Sequence, residues 1–410
     1  MSVRPTESVV VTGIGVIAGP HVGVDAVREA MGASTAATTL VEQGKGLHVP
    51  GASQRAVLCA GIDWPALVPP GVARRMSVPS RFAVAAARLA RRDALLPADP
   101  EGERTAVVMS TAFGPVESSE QILDTVMTDG PQVASPFVFA ESVANAAAGQ
   151  VAIDTGSRGP NITVIQREAG SLTAVRRGVA LVASGAADRV LAGVVDHASP
   201  VLHAVLGRFD ALARPEADGA EVARPFDRDR SGFLLGEGAC VVVLERESGA
   251  RARGAPIRAR VAGGGGAFDP TAPRVGWGHG DGPMADAIAR SLDDAGVPVD
   301  AVPRIVSGAS GAVDGDRLEG RVLRRLWGSR PLPTVLAPKA QFGQFGGGFL
   351  AASLLAVAGG RFAPTPGFRT EDPDVAVCPY EGGALGAAAR VLSLTLASGG
   401  SAAWLLLELL

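Results

Sequence analysis

Aromatic side chains are scarce in this sequence: Phe, Trp and Tyr together supply 4 % of its 410 residues. Bulk has to come from elsewhere. Gly (53 residues) and Ala are abundant, which suits close packing of small side chains, as where helices press onto a sheet. Strong charge of either sign is missing too. The formal net charge is −3, so there is no electrostatic footprint for nucleic acid or an anionic membrane. Cysteine is rare: Cys59, Cys240 and Cys378 lack CxxC spacing and fit reduced thiols. No apolar run reaches the length of a membrane span, and the stretch 392–410 is broken by Ser, Gly and Glu. The opening MSVRPTESVVVTG lacks the apolar core of a signal peptide. These absences predict a soluble, cytoplasmic protein with no cofactor, no metal and neither nucleic acid nor membrane as partner.

What is present is a large apolar interior. The chain is 47 % hydrophobic and 19 % charged, which argues against long disordered tracts and leaves room for one big domain or two fused halves. Short β-branched runs at 8–17, 105–110, 162–165, 189–195 and 239–245 read as buried strands. Ala-rich stretches at 81–95 and 171–184 read as the helices between them. The polar segment 247–256 reads as a connector, after which the rhythm restarts: strand 257–268, helix 284–296, strand 304–310, and helices 318–328 and 349–360. Alternating strands and helices predict an α/β fold with a buried sheet. The boundary is placed between an N-terminal half, 1–252, and a C-terminal half, 253–410.

Glycines in VVVTGIGVIAG invite a dinucleotide-binding reading. The third glycine is misplaced, and no acidic residue ends a strand at the required distance, so a tight turn after the first strand is the expected use. The histidines (His21, His48, His197, His203, His279) carry no carboxylate or Cys at ligand spacing and are expected on the surface or in loops.

Four collinear segments resemble the β-ketoacyl synthases: VVVTGIGVIAG, RRMSVPSRFAVAAA (74–87), GPNITV (159–164) and ARPFDRDRSGFLLGEGACVVVLE (223–245). The last is long and specific. APKAQFGQFGGG (337–348) and LTLASGGSAA (394–403) extend the likeness through the C-terminal half. The resemblance implies the thiolase fold, two repeated halves layered α-β-α-β-α, with Glu237 a structural carboxylate in a turn.

That family forms a carbon–carbon bond by decarboxylative condensation. The chemistry needs a Cys thiolate with a lowered pKa and two His that donate to the thioester carbonyl as it becomes an enolate. Counting from Gly159-Pro160-Asn161, the nucleophile position holds Glu168. The first His position is Gly308, the second is Gln344, Lys339 is retained, and the gating Phe corresponds to Ser398. A carboxylate is a poor acyl carrier and would repel a malonyl group. No catalytic residue is therefore assigned. Glu168 has two readings: it lines a remnant cavity and binds a group from the partner, or, the plainer case, it is satisfied by backbone N–H groups at the helix start beside it. Arg167 is read as a residue that could pair with an acid across a dimer.

The string QREAGSLTA resembles the chain-length factors of bacterial type II polyketide synthases, with Glu168 where they carry Gln. That resemblance implies a heterodimer with an active ketosynthase alpha subunit, and an acyl carrier protein delivering a phosphopantetheine-bound polyketide into a tunnel along the interface. The tunnel-closing positions correspond to Val116, Ser119, Leu123 and Ser142, where aromatic-polyketide factors place Phe, Thr, Phe and Trp. The exchange of Trp for Ser142 frees the most volume, so a long product is expected, such as a polyene from a reducing system. An autonomous thiolase-fold decarboxylase using Glu168 as base, and a protein that sequesters acyl carrier protein, are the competing readings.

Overall fold

The computed structural model describes residues 7–43, 47–97 and 102–410; positions 1–6, the start of the expected N-terminal half, lie outside them. Ten strands form the main sheet path: β1 (Val9–Ala18), β2 (Thr105–Thr111), β3 (Asn161–Ile165), β4 (Arg189–Asp196), β5 (Gly238–Arg246), β6 (Ala259–Phe268), β7 (Arg304–Ser307), β8 (Thr334–Leu336), β9 (Arg390–Leu396) and β10 (Ser401–Glu408). Their spatial order is β8-β7-β9-β10-β6-β1-β5-β4-β2-β3.

The same pattern occurs twice along that path. β3, β2 and β4 run parallel, with β5 antiparallel to β4 and β1 antiparallel to β5. Likewise β8, β7 and β9 run parallel, with β10 antiparallel to β9 and β6 antiparallel to β10. The two sets meet only at the register pairs Val10↔Arg260 and Val11↔Ala259. This repeated order supports reading the chain as two related halves. The expected connector at 247–256 carries a short helix, Glu247–Ala252, before β6 begins.

Helices complete five layers. Val78–Asp93 and Ala146–Thr155 cover the outer face of the first set, and Asp281–Asp294 and Val313–Trp327 cover that of the second. Gly170–Ala183 and Gly346–Ala358 lie between, touching strands of both sets. The second is apolar all round (GGGFLAASLLAVA), as a helix covered on every side must be. Among the described residues no helix is long and apolar enough to cross a membrane.

The N-terminal glycines do something other than turn. Gly13 and Gly15 lie inside β1, and the chain reverses later, through Gly19 and Pro20 into the paired strand His21–Val22. Their job is close approach: a Cβ on Gly13 would lie 2.6 Å from the Ala94 Cβ, and one on Gly15 would strike the Ala86 carbonyl. The Ala-rich helix 78–93 thus rests directly on the backbone of β1, which is what the small-residue composition provides. Gly15→Ala is expected to destabilise the protein by about 1–3 kcal/mol through overpacking; a urea midpoint equal to wild type would show that the helix can move away at no cost.

Candidate functional site

Strand ends and helix starts from both sets converge on one buried polar cluster. Glu168 sits in a single 3₁₀ turn, Arg167–Ala169, between the end of β3 and the central helix Gly170–Ala183. Arg167 is held at φ 44°, a conformation that costs a non-glycine residue energy and is kept here by its surroundings. Its guanidinium donates to Ser398 Oγ at 3.3 Å, an acceptor that also takes the Gly276 N–H at 2.8 Å. The Ser398 N–H donates to Glu168 Oε2 at 3.2 Å. The backbone partner of Glu168 therefore comes from the loop after β9, not from its own helix start as expected, because the tight turn aims the side chain across the sheet ends.

Glu168, Gly308 and Gln344 line one pocket together with Trp277, Asp316 and Glu319. The counted positions thus meet in space, with Ser398 at their side. The pocket is nearly filled: its cavity volume is about 10 Å³, room for a single water. Gly308 is tightly enclosed, since a Cβ there would lie 2.5 Å from Thr395 Oγ1 and 2.6 Å from Thr395 Cβ. An imidazole cannot be mounted at this position without displacing β9. Gln344 is buried; its N–H donates to the Leu234 carbonyl at 2.6 Å, and its Oε1 has no partner among the described residues.

Lys339 is 1 % exposed, with its ammonium 5.5 Å from the centre of the Phe349 ring and no hydrogen-bond partner among the described residues. Burial pushes its pKa down, while the charges of Glu168, Glu319, Asp316 and Asp196 oppose that shift. The acids are perturbed the opposite way. Burial raises Asp316, although it accepts N–H bonds from Phe226 (2.9 Å), Ser310 (3.0 Å) and Gly311 (3.0 Å). Glu319 is raised by burial too, and accepts from Ser307 Oγ and from the Gly308 N–H at 3.0 Å. Asp196, at the end of β4, accepts from Thr111 Oγ1 (3.0 Å) and the Ala112 N–H (2.7 Å), and burial pushes it up to about 7.

The RPFDRDRSGF segment is a cross-brace. Asp227 accepts the N–H groups of Arg369 (2.6 Å) and Thr370 (2.7 Å), and Arg230 donates to Asp372 (2.6 Å) and to the Asp227 (2.8 Å) and Val313 (2.9 Å) carbonyls. Glu237 accepts the Cys59 N–H at 2.7 Å and the Ala198 N–H at 3.1 Å.

One histidine departs from the surface-or-loop reading, and a second, His197, lies in a loop as expected but is half-buried there. His203 is fully buried on the helix Pro200–Arg208, with Nδ1 3.3 Å from His48 Nε2 and Nε2 3.3 Å from the Arg55 carbonyl. His197 packs against Phe82, lies 3.6 Å from both Glu117 and Glu237, and is pushed down to about 4 by burial. The burial of His203 beside His48 and the Arg55 carbonyl is a tertiary contact that no spacing rule detects. Among the described residues no group of three or more His, Cys, Asp or Glu is arranged to hold a metal ion.

The four tunnel positions lie on and beside the helix Val116–Thr128 but do not share one environment. Val116 packs on the small core around Leu202 and Phe233, Ser119 Oγ donates to the Ser142 carbonyl at 3.2 Å, and Leu123 is 60 % exposed.

Residues 6–250 match the family model for the N-terminal domain of β-ketoacyl synthases. The chain is 31 % identical over 322 residues to 3-oxoacyl-[acyl-carrier-protein] synthase 2 of Staphylococcus aureus, covering 75 % of this chain and 76 % of that one. Among solved structures it is similar to the ishigamide ketosynthase/chain length factor, with TM-score 0.87, 29 % identity, and 98 % and 99 % of the two chains covered. It also shares its fold with a β-ketoacyl synthase from Burkholderia phymatum STM815, with TM-score 0.89, 24 % identity and 99 % of this chain covered.

The raised Asp196 has a sign that can be tested. The folded state keeps a proton that the unfolded state gives up above the usual carboxylate range. Stability is therefore lost as pH rises from about 4 to about 7. Asp196→Asn removes that loss. Relative to wild type, the variant's urea-derived stability is expected to improve between pH 5 and pH 8, by at most about 1.4 kcal/mol per pH unit. A difference that stays constant over this range would contradict the assignment.

Proposed function

This chain belongs to the β-ketoacyl synthase family and has its thiolase fold, and from that premise we propose that it is a non-catalytic chain-length-factor subunit, working in a heterodimer with an active ketosynthase. The observation that carries the reading is the pocket formed by Glu168, Gly308 and Gln344. It offers no thiol and no imidazole, and its cavity of about 10 Å³ leaves no space for a thioester. Condensation needs a nucleophile and donors aimed at the developing enolate oxygen; a carboxylate beside a buried ammonium supplies neither. The likeness to the ishigamide ketosynthase/chain length factor supports the finer assignment, and the similarity to 3-oxoacyl-[acyl-carrier-protein] synthase 2 supports carrier-bound acyl chains as the material handled.

The surface supports a partner. β3 ends the sheet path with its outer edge unpaired among the described residues. Ile165 on that strand and Ile153 on the helix packed against it are exposed, as are Leu123, Met127, Phe137 and Phe139 on the helices 116–128 and 136–141, Met127 by 84 %. Large apolar side chains next to an open strand edge mark an interface or an aggregation site. An active ketosynthase covering them completes the sheet and encloses the growing chain between the subunits. Phosphopantetheine on acyl carrier protein brings the substrate, and the tunnel wall contributed by Val116, Ser119, Leu123 and Ser142 limits its length. The small Ser142 goes with a long, polyene-type product.

Two measurements test this. Co-expressed with a Cys-His-His ketosynthase of a type II polyketide synthase, the chain is expected to co-purify with it, and both subunits are expected to be required for chain elongation. Turnover of malonyl carrier protein by this chain alone would turn the reading to an autonomous enzyme. In the reconstituted pair, Ser142→Trp is expected to shorten products by at least one extension unit, and unchanged product lengths would remove Ser142 from the wall.

A further inference from the structure

A second, much larger cavity of about 680 Å³ runs between the outer side of the helix Gly170–Ala183 and β6. Its chemistry differs from that of the apolar face around β3. Arg176 and Arg177 line it, and neither makes a hydrogen bond or ion pair among the described residues. Arg176 is partly buried, and burial together with the charge of Arg177 lowers its pKa, so two guanidinium groups are crowded with no anion to neutralise them. The opposite wall is β6 with part of β10, where glycines lie among Val261, Phe268 and Leu405. β6 pairs with β10 along its length but with β1 only at Ala259 and Arg260, and its glycines Gly263, Gly264 and Gly266 line the groove.

The groove is continuous with the partner face. Gln166, on its rim, directly follows Ile165, the last residue of the open edge strand β3. A second copy of this chain is a poor occupant. In a two-fold interface the same patch lies on both sides, which brings further arginine toward arginine. A subunit of the same fold that carries carboxylates at the matching position relieves the charge instead.

Resting on the chain-length-factor reading, we propose that this groove is the polar part of the heterodimer interface and receives an acidic segment of the ketosynthase subunit, with Arg176 and Arg177 each meeting a partner carboxylate. The pair thereby selects an unlike partner over self-association, complementing the apolar face, which supplies area without choosing a partner.

The test is the affinity of the purified heterodimer at two salt concentrations, for wild type, for R176E/R177E, for the milder R176Q/R177Q, and for R290E/R321E as a remote exposed control. Matched thermal midpoints establish folding. Charge reversal is expected to weaken assembly at least 30-fold and the neutral variant by less, with the control unchanged and with the salt dependence reduced in both groove variants. Wild-type affinity in R176E/R177E would overturn the inference while leaving the subunit reading intact. Retained assembly with lost carrier-protein binding would overturn it in favour of the carrier, and a wild-type homodimer abolished by the reversal would overturn it in favour of a second copy. Failure of the wild-type chain to bind the ketosynthase at all would sink the underlying reading and this inference with it.

Discussion

A lysine ammonium sealed inside the protein is the constraint around which the polar interior is organised. Lys339 is 1 % exposed and has no hydrogen-bond partner among the described residues, so its charge is tolerable only if opposite charge surrounds it. The acids whose charge opposes its desolvation come from separate parts of the chain: Glu168 from the turn after β3, Asp316 and Glu319 from the helix 313–327, and Asp196 from the end of β4 once it ionises near pH 7. Each is fixed by N–H or O–H donors from neighbouring backbone or hydroxyl groups, and those donors lie at the strand ends and loops that bring the layers together. Deleting one member would leave the others buried and uncompensated, which is the costly way to break such a cluster.

Glu168 then has a physical rationale. On the subunit reading, where Glu168 stands in place of a thiolate, its carboxylate supplies negative charge that opposes the desolvation of Lys339 and takes the Ser398 N–H as a fixed donor. Chemistry and support are separable in this fold. On the subunit reading, the groups missing from the pocket are those that would touch substrate. The retained RPFDRDRSGF segment instead ties Asp227 and Arg230 to the loops at 369–372 and to the start of the helix at Val313. A brace of this kind is needed whether or not the site turns over, so its survival in sequence is a statement about folding.

The layers were legible from the sequence because strand and helix periodicities in a buried α/β fold are strong, and long motifs gave the register for counting to Glu168, Gly308, Gln344 and Ser398. What a linear reading could not supply was the third dimension. Gly13 and Gly15 look like turn residues, but their value is the absence of a Cβ under the helix 78–93. Gly308 looks like a simple loss of histidine, whereas Thr395 from β9 occupies the space that a side chain there would need. His203 carried no ligand spacing and was expected on the surface or in a loop; on its helix it is buried beside His48 and the Arg55 carbonyl, from a distant part of the chain. Arg176 and Arg177 sit in an unremarkable helix whose outer face becomes a groove only when β6 is folded beside it.

On the subunit reading, the wall that measures the product is tied to the core at one end only. Val116 packs into the cluster around Leu202 and Phe233, and Ser119 is hydrogen-bonded to the Ser142 carbonyl, so the first turns of the helix 116–128 are held by this chain alone. Farther along, Leu123 and Met127 face outward without cover. Side chains in that state have no defined rotamers to close a cavity against. Their positions are fixed only when another surface packs on them, and the space they leave is then shared with that surface. Product length is therefore a property of the assembled pair: this chain sets how much room the wall can give, and the partner's packing determines how much of it is used.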